Sequence, residues 1–149
     1  MTGAVTIERL TGSPVEHVAE LVVESERHGL RFVRRLAEEW IHGANRFDQP
    51  GEALFVARIG ERVVGVCGLN VDPYAAEPRV GRVRHLYVLS EQRRLGVGRR
   101  LVSEVIEVAR GRFDRLRLRT EAPGAARLYQ ALGFRPSVGT DDCTHIMTL

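Results

Sequence analysis

The spacing of apolar and polar residues changes several times along this chain, and each change predicts an element. Residues 5–10, VTIERL, alternate apolar and polar, the two-residue period of a strand with one covered face. SPVEHVAELVVESERH, residues 13–28, is expected to be a helix: Ser13 is placed to cap it, Pro14 takes its first turn and Gly29 ends it. RFVRRLAEEWIHGA reads as a second helix, with Phe32, Leu36 and Trp40 at four-residue steps. ALFVARIGERVVGVCGLNV reads as two strands joined by a hairpin at Gly60-Glu61, and DPYAAEPRVG as a loop. RVRHLYVL predicts a fourth strand, beginning at Arg82. RRLVSEVIEVARG places Leu101, Val105 and Ala109 on one line of a helix that Gly111 terminates. RLRLRT alternates strictly as a fifth strand, GAARLYQAL is a short helix stopped by Gly133, and FRPSV and THIMTL are expected to form a closing strand pair.

The order β-α-α-β-β-β-α-β-α-β-β predicts an α/β (α+β) architecture, a mixed sheet covered by helices. Residues 82–119 form a strand–helix–strand unit of the kind that makes a right-handed crossover. A chain of 149 residues is expected to be a single domain, with its core over about residues 5–149. Charged residues at 28% and hydrophobic residues at 44% are globular proportions. No apolar run is long enough to cross a bilayer, and MTGAVTIERL lacks the pattern of a signal peptide, so a soluble cytoplasmic protein is expected, with no membrane partner. Cys67 and Cys143 do not make a disulfide framework; Cys67 reads as a small buried residue.

The net charge is +3, and all 22 basic residues are arginine. Without lysine there is no Walker-type phosphate loop, no lysine nucleophile and no Schiff base. A mild basic excess suits a nucleic-acid binder, and equally an enzyme with a polyphosphate cofactor. An aromatic content of 6% offers few stacking platforms, which argues against nucleic acid.

QRRLGVGRR, residues 92–100, is the segment with the most chemistry. Gly96 and Gly98 fit two positions of a dinucleotide fingerprint, but Leu101 stands at the third and the distance from Val88 is too long for its tight turn. A Gly-x-Gly before an amphipathic helix is also an ordinary turn. The segment is equally built to cradle an anion: glycines give close access to backbone N–H groups, the next helix brings its positive end, and Arg93, Arg94, Arg99 and Arg100 add charge.

RRLGVG resembles the Q/R-x-x-G-x-G/A signature of the GCN5-related N-acetyltransferase (GNAT) superfamily. HLYV before it is similar to the family's fourth strand, AARLYQALGF after it resembles the second signature, and the element order matches across nearly the whole chain. The resemblance implies a mostly antiparallel sheet of about seven strands with about four helices, splayed between strands four and five. It implies acetyl-CoA as co-substrate and no metal. Its pyrophosphate would lie on the amides of residues 94–99, touching Arg93, Arg94, Leu95, Gly96, Val97, Gly98 and Arg99. Its pantetheine arm would pair with Leu86, Tyr87 and Val88 in the splay.

The reaction implied is N-acetylation of a primary amine on a small molecule, amino acid, peptide or protein by direct attack in a ternary complex. The alternative is a degenerate acyl-CoA-binding module. The resemblance gives the Val88 amide the oxyanion role and makes Tyr129 the general acid toward the thiolate, a phenol of pKa near 10 facing a thiol near 8.5. Relatives often carry asparagine seven residues before that tyrosine; Ala122 stands there. Where relatives have a general base, this chain has Arg84 and Arg82, which accept no proton. His85 has the opposite strand parity and is expected under a helix. His145 is expected to approach the cleft, and Glu52, Asp72 and Glu77 read as solvated groups. ERHGLRFVRR, with His28 and Phe32, is a candidate acceptor wall together with Arg84. The alternating Arg82, Arg84, Arg115, Arg117 and Arg119 read as a solvated stripe or as a site for an acidic acceptor. Monomer and homodimer both fit.

Overall fold

In a computed structural model, residues 3–139 and 141–149 are described. Seven strands form one sheet: β1 (Val5–Leu10), β2 (Ala53–Ile59), β3 (Arg62–Val71), β4 (Val80–Val88), β5 (Arg115–Leu118), β6 (Arg135–Pro136) and β7 (His145–Thr148). Their order across the sheet is β1-β2-β3-β4-β5-β7-β6. Every neighbouring pair is antiparallel except β4 and β5, which are parallel and joined through a helix. The helices are α1 (Ala19–Arg27), α2 (Phe32–His42), α3 (Val97–Ala109) and α4 (Pro123–Ala131).

The expected elements are present, with shifted edges. The first helix does not begin at Ser13. Ser13 caps a single turn, its Oγ accepting from the Val15 N–H at 3.3 Å, and the regular helix starts only at Ala19. The fourth strand begins at Val80, so the preceding loop is shorter than its glycine and prolines suggest. The closing pair keeps β7, but only Arg135 and Pro136 of FRPSV form the strand beside it, at the sheet edge where proline is tolerated.

Parity along β3 shows how the two faces are covered. A Cβ added at Gly65 would meet Leu101 and Val97 of α3, whereas one at Gly68 would meet Phe47 on the other face. Helix α3 therefore packs Val97, Leu101, Val102 and Val105 on one side, and α1 and α2 pack Leu21, Val33 and Leu36 on the other. Two-sided cover explains why β2 and β3 read as nearly continuous apolar runs.

Two irregularities in β4 set up the cleft. Val66 lies opposite Tyr87 but Gly68 opposite Arg84, so β4 carries one extra residue there, and His85 takes φ 62°. Pairing with β5 covers only Val80–Arg82 against Arg115–Arg117. From Val83 onward β4 has no partner on that side, while β5 pairs with β7 as far as Leu118. This is the splay that the family resemblance implies.

Candidate functional site

Val88 ends β4 beside the splay. The Leu89 N–H donates to the Val64 carbonyl of β3 at 2.9 Å. Backbone donors alternate along a strand, so the Val88 N–H points to the opposite edge, into the gap. Its carbonyl is held by Arg93, whose Nε donates at 2.9 Å and whose guanidinium lies 5.2 Å from the Tyr87 ring centre. Arg93 thus fixes the strand end, and its charge is partly committed there.

A short 3₁₀ turn (Ser90–Gln92) leads to the glycine loop. Arg94 (φ 71°) and Gly96 (φ 78°) are both left-handed, and the chain enters α3 at Val97, earlier than the sequence suggests. Among the described residues, none of the amides of residues 94–99 has a backbone acceptor; the first paired amide is Arg100, which donates to Gly96 at 3.0 Å. Six successive donors at a thirteen-residue helix's N-terminus make a strong anion cradle. The glycines differ in purpose. A Cβ at Gly96 would meet nothing within 4 Å, so glycine there serves the backbone conformation. A Cβ at Gly98 would lie 3.3 Å from Leu128 and 3.8 Å from Val88, so glycine there serves close approach. Arg94, Leu95 and Arg99 are exposed around the loop, and Arg100 is turned away onto the Val5 carbonyl.

Tyr129 lies on α4, 6% exposed, edge-on to Phe134 with ring centres 5.6 Å apart. Burial, and then the nearby Cys67, push its phenol pKa well above 10, and no hydrogen-bond partner for its hydroxyl is found among the described residues. A phenol is already a weaker acid than a thiol, and burial widens that gap, so complete proton transfer to a thiolate is uphill. The group is suited to donate a hydrogen bond while keeping its proton. His145 lies below α4 rather than in an open cleft: it contacts Gln130 and Thr144 at 3.1 and 3.0 Å, and its ring centre is 6.5 Å from that of Tyr129. Ala122 caps α4, its N–H donating to the Thr120 hydroxyl at 3.2 Å.

The α1–α2 face of β4 holds the other candidates. His28 is exposed at the end of α1, and Phe32 packs edge-on to Tyr87 at 6.0 Å. His85 does lie under a helix, but strict alternation fails: the bulge puts it on the same side as Arg84. Its Nδ1 donates to the Phe32 carbonyl at 3.1 Å, its ring packs on Phe47, and its Nε2 is buried without a partner. Burial, with Arg84 close by, pushes its pKa down to about 3, so it stays neutral.

The solvated arginine stripe is not found. Arg82 and Arg117, opposite each other at the last rung before the splay, share Asp72, whose side chain is 0% exposed, at 3.3 and 3.4 Å. Both also reach Asp142, Arg82 through the backbone carbonyl and Arg117 through the carboxylate, and Arg82 stacks under Tyr74. Arg115 pairs with Glu77 and Arg119 with Glu121. Asp72 is therefore an internal counter-ion and not a surface group. Glu52 is buried too, accepting from the amides of Gln49 and Val71 and from Asn70 Nδ2. Of the three acids, Glu77 alone is exposed.

Sequence reasoning missed Glu24 on α1. Its Oε1 accepts from the Tyr87 hydroxyl at 2.7 Å, the Ser90 amide at 2.9 Å and the Ser90 hydroxyl at 3.0 Å. Burial opposes ionisation, but these bonds prevail and hold its pKa below the usual carboxylate value. A glutamate on an exposed-looking helix face gave no signal of this. No group of three or more metal-ligating side chains exists among the described residues, and none of their helices is long and apolar enough to cross a membrane.

Residues 15–134 match the model of the Acetyltransferase (GNAT) family. A solved structure from Exiguobacterium sp. 255-15, described as a candidate acetyltransferase, superposes with TM-score 0.85 at 32% identity, covering 97% of this chain and 93% of that one. N-acetylglutamate synthase from Neisseria gonorrhoeae, solved with coenzyme A and N-acetyl-glutamate, gives TM-score 0.72 at 18% identity over 100% of this chain and 36% of its own, a likeness of fold. Human N-acetyltransferase 8 is 39% identical over 92 residues, 58% of this chain; the match spans 40% of that protein's length.

Proposed function

This chain belongs to the acetyltransferase (GNAT) family, and on that premise we propose that it moves an acetyl group from acetyl-CoA to a primary amine of a small molecule, amino acid, peptide or protein. The observation that carries the proposal is the row of six unpartnered amides, residues 94–99, beside the open edge of β4 at Val88. The amides suit a pyrophosphate, with Arg94 and Arg99 outside them. The pantetheine arm suits the unpaired edge from Leu86 to Val88, where it replaces the strand pairing lost after Arg82.

In this reading the amine nitrogen attacks the thioester carbonyl carbon, the C–N bond forms, and the C–S pair leaves on sulfur. The Val88 N–H takes the developing oxyanion, and Tyr129 donates a hydrogen bond toward the departing sulfur. The ammonium proton goes to water, because Arg82 and Arg84 occupy the places where a base is otherwise found. That lack is the one observation that favours the second reading, an acyl-CoA-binding module without turnover. Free-thiol release over an amine panel decides between them. Turnover by the wild type, with kcat at least tenfold lower in Tyr129→Phe and acetyl-CoA affinity retained, is the expected result. Acetyl-CoA binding without any turnover would favour the module, and unchanged kcat in Tyr129→Phe would remove its role.

A further inference from the structure

The α2 side of β4 carries a polar cavity of about 350 Å³, between the end of α2, the segment after it, β3 and the middle of β4. Five charged side chains line it, Glu39, Arg46, Asp48, Glu52 and Arg84. Glu52 is saturated by three hydrogen bonds, and Arg46 donates Nε to the Trp40 carbonyl at 3.0 Å. Asn45 and Asn70 bond each other reciprocally at 2.9 and 3.0 Å, which makes that wall rigid. Asp48 also lacks a partner among the described residues but is exposed; two part-buried groups are different. Arg84 is the one arginine of β4 and β5 with no ion pair or hydrogen bond on its guanidinium among the described residues. Glu39 has a carboxylate oxygen, Oε1, with no hydrogen-bond partner.

We propose that Arg84 is the specificity-determining residue for the acceptor: it binds a carboxylate on the amine substrate, and Glu39 favours a second, cationic group beside it. The inference rests on the amine-acetylating reading above and narrows its substrate class. The reasoning is by elimination on charge. The three other arginines of β4 and β5, Arg82, Arg115 and Arg117, are each paired with a carboxylate, so of these four Arg84 alone faces the cavity without a counter-ion. A bare guanidinium on a partly enclosed wall favours a planar, bidentate anion.

Position adds a second constraint. Arg84 precedes Val88 by four residues of a bulged strand, roughly 10 Å or more at the usual rise. An acceptor with its carboxylate at Arg84 and its reacting nitrogen near Val88 is therefore elongated. A diamine acid, or the amino terminus of a short peptide, fits this better than an α-amino acid reacting at its own α-nitrogen.

The test uses thiol release from acetyl-CoA with three pairs of probes: 6-aminohexanoate against 1-aminohexane, lysine against cadaverine, and lysine against lysinamide. Wild-type protein is expected to favour the carboxylate-bearing member about tenfold or more in kcat/KM. Arg84→Gln is expected to lose that preference, to within about twofold, while it keeps turnover of 1-aminohexane and cadaverine and its calorimetric affinity for acetyl-CoA. Equal loss for both members of each pair would make Arg84 structural and overturn the inference. Wild-type turnover without preference overturns the inference and leaves amine acetylation standing. Acetyl-CoA binding with no turnover of any probe contradicts the amine-acetylating reading and the inference together.

Discussion

The two faces of the β4 end are built from different materials. On the α3 side the candidate donor site is made of main-chain groups: the Val88 amide and the six amides of residues 94–99, with Gly96 allowing the left-handed turn and Gly98 the close packing beside Leu128 and Val88. On the α1–α2 side almost everything is side chain: Asp72 between two arginines, Glu52 on Asn70, Glu24 on Tyr87 and Ser90, and Arg84 left over. Main-chain sites depend on local conformation, which one short segment specifies. Side-chain sites depend on partners far apart in sequence, such as Arg82 and Asp142. This suits an enzyme family in which the donor stays the same while acceptors differ, because one face can change without disturbing the other.

The sharpest way to break that independence is Asp72→Asn. It strands two guanidinium groups, one buried and one part-buried, at the last rung before the splay. Unfolding free energy from urea titration is expected to fall by about 3–5 kcal/mol, while acetyl-CoA affinity of the folded fraction stays within about threefold. A loss below about 1 kcal/mol would show that Asp142 suffices, and a collapse of acetyl-CoA affinity would show that the faces are coupled.

His85→Leu tests the same face more gently, through pH. The histidine sits near pKa 3 in the fold against 6.5 unfolded. Between those values the unfolded chain binds the extra proton, so the stability tied to neutral His85 is complete above about pH 6.5 and drains away as pH falls toward 3. In the variant, the loss of stability between pH 7 and pH 4.5 is expected to be smaller by about 2 kcal/mol. An unchanged pH slope would place the acid sensitivity elsewhere.

The same contrast explains what could be read from sequence. Strand and helix order and the glycine loop follow from periodicity and short local segments, because those features are local; the place of the splay comes from the family resemblance. The start of α1 slipped because Ser13 and Pro14 initiate a turn that the helix does not continue from directly. The bulge in β4 has no glycine or proline to mark it; non-glycine His85 bears the left-handed conformation, so an argument from strand parity put it on the wrong side relative to Arg84. Alternating arginines looked solvated because Asp72 and Asp142, which neutralise them, come from the loops before β4 and before β7. Only a structure shows which arginine remains unpaired.

The claim on which the rest depends is that the loop amides hold the donor through its pyrophosphate. Calorimetric titration with acetyl-CoA and with S-acetylpantetheine, which lacks the pyrophosphate and nucleotide, measures this directly. Saturable binding of acetyl-CoA at one site per chain, with S-acetylpantetheine weaker by about a hundredfold or more, is the expected result. Equal affinity for the two, or no binding of either, would contradict it.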